Sequence, residues 1–181
     1  MKSIKIYLGC GRRDFGKDWI HIDGGDYPHL DSKDIFNLPY KNNSIDLIYA
    51  SHVIEYFSRE EIIPILLKWK DKLKPGGILR LAVPNFEVMS RLYQEGKYSL
   101  DRFLGPLYGK MEMGDKTIYH KTTYDYNSLS TVLYNAEFSN VRKWDFTKTE
   151  HSMHDDHSQA FLPHMDKENG TLISLNIEAV K

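Results

Sequence analysis

Cysteine is nearly absent from this sequence: Cys10 is the one thiol among 181 residues. A lone thiol excludes an internal disulfide framework and fits a reducing compartment. An excess of either charge is also missing. Lys and Arg number 24 and Asp and Glu 25, a formal net charge of -1, so no overall field draws the chain to nucleic acid or to an anionic membrane. No apolar run approaches the roughly 20 residues that a membrane-spanning helix needs. Repeats and low-complexity tracts are lacking, and a strand begins so soon after Met1 that no signal peptide is expected. These absences predict one cytoplasmic globular domain over residues 1–181, long enough to bury a core.

What is present begins with Ile4-Lys5-Ile6-Tyr7-Leu8-Gly9-Cys10-Gly11, a short alternating strand that runs into a glycine pair. Glycines at a strand's carboxyl end leave backbone N–H groups bare, with no Cβ to hold a ligand away. The seven residues Arg12 to Asp18 lead to a second strand, Trp19 to Asp23. Seven residues are too few for a crossover helix, although extended they span roughly 23 Å, enough to return along a short strand. Asp34 to Tyr40 reads as a very short strand stopped by Pro39. Ser44 to Ala50 is almost continuously apolar and reads as a central strand.

A helix follows from Ser58, where Ser58 and Glu61 form a capping-box pattern and Ile62, Leu66, Trp69 and Leu73 repeat at helical spacing. Pro64 is expected to bend this helix or delay its start. Lys74-Pro75-Gly76-Gly77 ends it, and Ile78 to Val83 is the next strand. Phe86 to Gln94 reads as a helix ended by Gly96, Ser128 to Ala136 as another. Asn140 to Phe146 and Leu172 to Ala179 read as the closing strands. Two irregular stretches, 97–127 and 147–170, are too long for plain connections and suggest binding loops or a lid.

Strands alternating with helices predict an α/β fold with a mainly parallel sheet. A dinucleotide-binding domain would have a third glycine where Asp14 stands and an acid about 20 residues further on. Here the strand-end acid, Asp23, comes only twelve residues after Gly11. The run instead resembles class I S-adenosylmethionine-dependent methyltransferases. The matching residues are Leu8-Gly9-Cys10-Gly11, Asp23, Asp34-Ile35 with Leu38-Pro39, Ser44-Ile45-Asp46-Leu47-Ile48, His52-Val53-Ile54-Glu55-Tyr56 and Leu73-Lys74-Pro75-Gly76-Gly77. The likeness is greatest to small bacterial members with a shortened first crossover helix that act on saccharides or other small acceptors.

The resemblance implies a Rossmann-like fold with a seven-stranded, mainly parallel sheet and an antiparallel last strand. It implies S-adenosylmethionine as cofactor and S-adenosylhomocysteine as product. Leu8, Gly9, Cys10 and Gly11 would form the loop against the methionine part, Asp23 would accept from the ribose hydroxyls, and Asp34 and Ile35 would meet the adenine. Ser51 and His52 would lie near the sulfonium. The family's usual acid two residues before Gly9 is Tyr7 here, so a neighbour must replace that contact or the cofactor is held less firmly.

Topology sends 97–127 and 147–170 from the carboxyl edge of the sheet, making them the expected acceptor pocket and lid. A hydroxyl acceptor benefits from a general base, for which His120, His157 and Asp155 are the candidates, with no metal. The expected activity is methyl transfer to a small molecule such as a saccharide or polysaccharide precursor. Two rivals stand beside it: a cofactor-binding protein of the same fold without transferase activity, and a hydrolase holding a metal on His151, His154, Asp155 and His157.

Overall fold

Alternating side chains make Lys5–Leu8 a strand (β1) with Ile6, Tyr7 and Leu8 all buried. The computed structural model describes residues 3–113 and 116–181; residues 1, 2, 114 and 115, the last pair inside the 97–127 stretch, lie outside it. Beside β1 on one side runs Ile20–Ile22 (β2) and on the other Ile45–Ser51 (β3), both parallel to it. The nearly continuous apolar run of β3 is buried on both faces, as a central strand should be. Next comes Leu73–Pro84 (β4), parallel to β3. Ser174–Val180 (β10) lies antiparallel between β4 and Ser139–Lys143 (β7).

The sheet has six strands in the order β2-β1-β3-β4-β10-β7, not seven. The missing strand is the one expected over Asp34–Tyr40. The chain just before it reaches the sheet through a parallel bridge between Ser32 and Ile22. Asp34 turns its carboxylate onto the backbone N–H groups of Phe36 (2.8 Å) and Asn37 (2.9 Å). Such local bonds compete with a ladder.

Residues 9–19 form turns without a helix. On that face of the sheet the layer a crossover helix would supply is aromatic. Phe15 packs on Tyr7 (4.4 Å between ring centres) and meets Trp19 edge-on at 5.4 Å, and the cluster extends to Tyr49 and Trp144. The opposite face carries Arg59–Lys72 (α1) and Tyr126–Asn135 (α4). Ser58 caps α1 through the expected box, and Pro64 sits inside the helix without delaying its start at Arg59. Trp69 is fully buried, and its indole N–H donates to the Ile35 carbonyl at 2.8 Å, which fastens the strandless segment to α1.

Phe86–Gln94 (α2) has its expected bounds. The 97–127 stretch is more regular than its sequence suggests: it holds Asp101–Tyr108 (α3) and a hairpin of Met111–Met113 (β5) with Lys116–Ile118 (β6). Gly105 and Pro106 inside α3 obscure its periodicity. β7 stops at Lys143 because Trp144 points inward, its indole N–H donating to the Leu81 carbonyl at 2.9 Å. The 147–170 stretch opens on the end of a 3-10 turn over Phe146–Lys148 and contains another over His157–Gln159 and the strand Phe161–Leu162 (β8), which pairs with Thr171–Leu172 (β9). No helix among the described residues is long and apolar enough to cross a membrane.

Candidate active site

Two glycines shape the end of β1 for different reasons. Gly9 has φ +66°, and a Cβ there would run into the Val53 side chain, so this glycine is required by packing. Gly11 has φ +57°, but a Cβ there would meet nothing within 4 Å. Its N–H donates to Asp23 Oδ2 at 2.8 Å, and the N–H of Gly25 donates to Oδ1 at 2.7 Å. Asp23 is thus clamped between the glycine loop and the end of β2, with lone pairs left over on both oxygens.

A cavity of about 780 Å³ opens from Gly9, Gly11 and Asp23, passes Ser51 and His52, and ends among Pro84, Tyr98, Arg102, His157 and Phe161. A second, of about 790 Å³, shares Gly9, Asp23 and His52 and continues along Ile35, Phe36, Val53 and Phe57. An adenosyl-methionine group suits these residues. The second cavity offers apolar walls for a flat base, Asp23 offers acceptors for ribose hydroxyls, and the open space at Gly11 allows close approach. The buried Nε2 of His52 makes no hydrogen bond within the protein, leaving a polar group for a ligand to meet.

Of the residues expected at the cofactor, Gly9, Gly11, Asp23, Ile35, Ser51 and His52 line these cavities. Leu8 is core. Cys10 is buried against His29, its thiol pushed up to about 12 chiefly by burial, so it is a packing residue rather than a thiolate. Asp34 lines neither cavity and is occupied by its own turn.

Among the expected bases, His120 lines both cavities and His157 the first. His157 stacks on His52 with ring centres 4.8 Å apart. Asp155 does not join them: its carboxylate is exposed and pairs with Lys167 at 3.0 Å. The four residues of the metal rival do not converge. His151 is a core aromatic packed on Tyr49 (4.4 Å), with burial lowering its pKa to about 4, and His154 stacks on Phe15. Among the described residues no group of three or more His, Cys, Asp or Glu is placed to hold a metal ion.

Two acids escaped the sequence reading. Asp156, almost wholly buried, accepts from the hydroxyls of Tyr49 (2.6 Å) and Tyr7 (3.3 Å) on Oδ2, and from the Ser158 N–H (2.8 Å) on Oδ1. Tyr7 therefore stands in the core, with an acid brought to it from the far end of the chain. The available signal was the pair itself, since Tyr7 and Tyr49 face each other across β1 and β3.

The other is Glu55, fully buried in the 3-10 turn Ile54–Tyr56, with its pKa pushed up to about 8 by burial. The folded chain keeps this proton after the unfolded chain has lost it, so stability falls as pH rises through the interval up to about 8. His21, His52, His120, His151 and His157 are shifted down, chiefly by burial, and their opposing effect, a gain in stability as pH rises, continues through pH 6.5 until the unfolded imidazoles are neutral about one unit higher. Because the histidines are common to both, the wild type should lose about 2 kcal/mol relative to Glu55→Gln between pH 6.5 and 8.5 in denaturant unfolding, at 1.36 kcal/mol per unit. Glu55→Gln should keep only the histidines' rise with pH; the same pH dependence in both proteins would refute the assignment.

Residues 18–81 match the sequence profile of a family described as "Methyltransferase domain". No curated protein sequence matches the chain. Among solved structures it resembles a SAM-dependent methyltransferase from Archaeoglobus fulgidus (TM-score 0.59, 15% identity, covering 99% of this chain and 86% of that one). One from Methanosarcina mazei is equally similar (TM-score 0.59, 14% identity, 100% and 93%). It also resembles the 1,6-didemethyltoxoflavin-N1-methyltransferase of Burkholderia thailandensis, solved with 1,6-didemethyltoxoflavin and S-adenosylhomocysteine (TM-score 0.56, 11% identity, 99% and 71%). At these identities the likeness to solved structures is one of fold.

Proposed function

We propose that this chain, which matches a methyltransferase-domain profile over residues 18–81 and has the fold of S-adenosylmethionine-dependent methyltransferases, is a class I S-adenosylmethionine-dependent methyltransferase whose acceptor is a hydroxyl of a small saccharide or polysaccharide precursor. Support comes from one observation: the cavity that begins at Gly9, Gly11 and Asp23 continues without a break into a space walled by the 97–127 and 147–170 stretches. These stretches are the acceptor pocket and lid. Tyr98 offers a ring face, while Asp101, Arg102, His157 and His164 offer hydrogen bonds. That mixture suits a sugar, which is apolar on its C–H faces and polar at its rim. The Burkholderia protein, of similar fold, has 1,6-didemethyltoxoflavin and S-adenosylhomocysteine bound.

Bound in this site, S-adenosylmethionine supplies a methyl group on a positively charged sulfur. Gly9 and Gly11 would give the backbone room to approach it, Asp23 would hold the ribose, and Ile35, Phe36 and Val53 would wall the adenine. What remains for the protein is to orient the acceptor oxygen in line with the methyl carbon, about 3 Å away, and to exclude water. The cytoplasm is the compartment in which we place this reaction, consistent with one buried thiol.

Isothermal calorimetry with S-adenosylhomocysteine tests the reading. Saturable binding, insensitive to chelator, is expected. Labelled S-adenosylmethionine with a panel of monosaccharides and nucleotide sugars should then give a methylated product. Absence of binding at millimolar ligand would overturn the cofactor assignment. Binding without transfer to any of the panel would favour the rival that binds cofactor and transfers nothing.

A further inference from the structure

Glu55 lies behind the cavity wall, and neither of its oxygens makes a hydrogen bond within the protein. Oε1 is 3.5 Å from Nδ1 of His52 and 3.8 Å from Nε2 of His120. The backbone carbonyl of Glu55 accepts from the N–H groups of Lys121 (2.8 Å) and Thr122 (3.1 Å), which ties the 97–127 stretch to this turn. A buried carboxyl without donors is costly and needs a reason.

The two histidines differ. Nδ1 of His120 lies 3.0 Å from the Pro106 carbonyl, which can only accept, so Nδ1 carries the proton and Nε2 faces Glu55 Oε1 at 3.8 Å. His52 has Glu55 at Nδ1 and nothing at its buried Nε2. It also holds the left-handed conformation (φ +55°) that most side chains avoid. Strain of this kind persists where the surroundings impose it. The turn after β3 thereby puts His52 on both cavities, where adenosyl and acceptor spaces meet.

We propose that His52 and Glu55 form a proton-accepting dyad, in which Nε2 of His52 takes the acceptor hydroxyl's proton and Glu55 holds Nδ1. The proposal rests on the methyl-transfer reading above. The acceptor O–H bond breaks, its oxygen bonds the methyl carbon, the sulfur–carbon electron pair stays on sulfur, and the proton goes to Nε2. Positive charge thus passes from sulfur to His52, where the Glu55 carboxylate faces it. The other groups around His52 are His157, His120 and Arg13, with Tyr56 and Tyr124 beside Glu55. None of these supplies a second carboxylate. Glu55 is accordingly the positioning residue, and His52 the catalytic one. The base-competent form, with Glu55 ionised and Nε2 bare, fills as pH passes about 8.

Two variants and two readouts test the dyad. Glu55→Gln keeps the shape and removes the charge. His52→Asn removes the ring with a residue that tolerates the left-handed conformation. Glu55→Gln, which lies outside the cavities, should bind S-adenosylhomocysteine within threefold of the wild type. On any hydroxyl acceptor found, kcat should fall about 10²–10³-fold, and Glu55→Gln should lose the rise in kcat around pH 8. Independently of turnover, ¹⁵N-histidine NMR of the wild type with S-adenosylhomocysteine should show His52 change tautomer near pH 8, and Glu55→Gln should abolish the change. A His52 ring unaffected by Glu55→Gln, or kcat unaltered in either variant, would overturn the proposal. Should Glu55→Gln fail to fold, a His52 tautomer constant from pH 6 to 9 in the wild type overturns it alone. Failure of S-adenosylhomocysteine to bind the wild type would instead indict the methyl-transfer reading.

Discussion

Gly11→Val should bind S-adenosylhomocysteine at least ~100-fold more weakly than the wild type, a loss of about 2.7 kcal/mol, while remaining folded. A Cβ at Gly11 meets no protein atom within 4 Å, so the added side chain enters the first cavity at the mouth of the glycine loop. The left-handed backbone adds a folding cost of about 1–2 kcal/mol. The N–H of Gly11 keeps its bond to Asp23, so the clamp on that carboxylate survives. Gly9→Ala is the contrasting control. Its Cβ collides with Val53, a core residue of the turn after β3, so stability should fall first. Calorimetry beside thermal unfolding separates the two, and unchanged affinity in Gly11→Val would show that the cofactor does not approach this loop.

Asp156→Ala should lower the unfolding free energy by about 2–4 kcal/mol, since each buried donor left unsatisfied costs about 1–3 kcal/mol and a carboxylate's own desolvation is recovered. The hydroxyls of Tyr7 and Tyr49 and the N–H of Ser158 all lose their acceptor. These bonds fasten the 147–170 stretch to the sheet, so the variant should also expose that stretch to protease before the rest of the chain unfolds. Asp156→Asn retains an acceptor and should cost less. Urea unfolding with limited proteolysis checks both points. A loss below 1 kcal/mol with unchanged cleavage would mean that the aromatic layer holds the stretch without the acid.

Much of the fold was legible from residue order. The strands at Ile4–Leu8 and Ser44–Ala50, the capped helix from Ser58 and the helix Phe86–Gln94 all depend on patterns within a few residues, and the structure keeps them. The strand expected at Asp34–Tyr40 failed because Asp34 satisfies its neighbours' N–H groups itself. α3 was overlooked because Gly105 and Pro106 interrupt its pattern. In the candidate site, the glycine pair, Asp23 and His52 were visible from their places at strand ends. Asp34, Leu8, Cys10 and Asp155 satisfied the same rules of position, but turn bonding, core packing and a surface ion pair carry them away from the cavities.

By itself the sequence determined most strands of the main sheet and which of their ends carry glycines and acids. Those properties are local, or follow from the parallel alternation of strands and helices. The tertiary structure alone decided what stands behind them. Asp156 reaches Tyr7 from 149 positions along the chain, and Glu55 meets His120 across 65 residues, as their numbering shows. Whether a buried acid has a partner depends on which distant segments pack over it, and no local pattern records that.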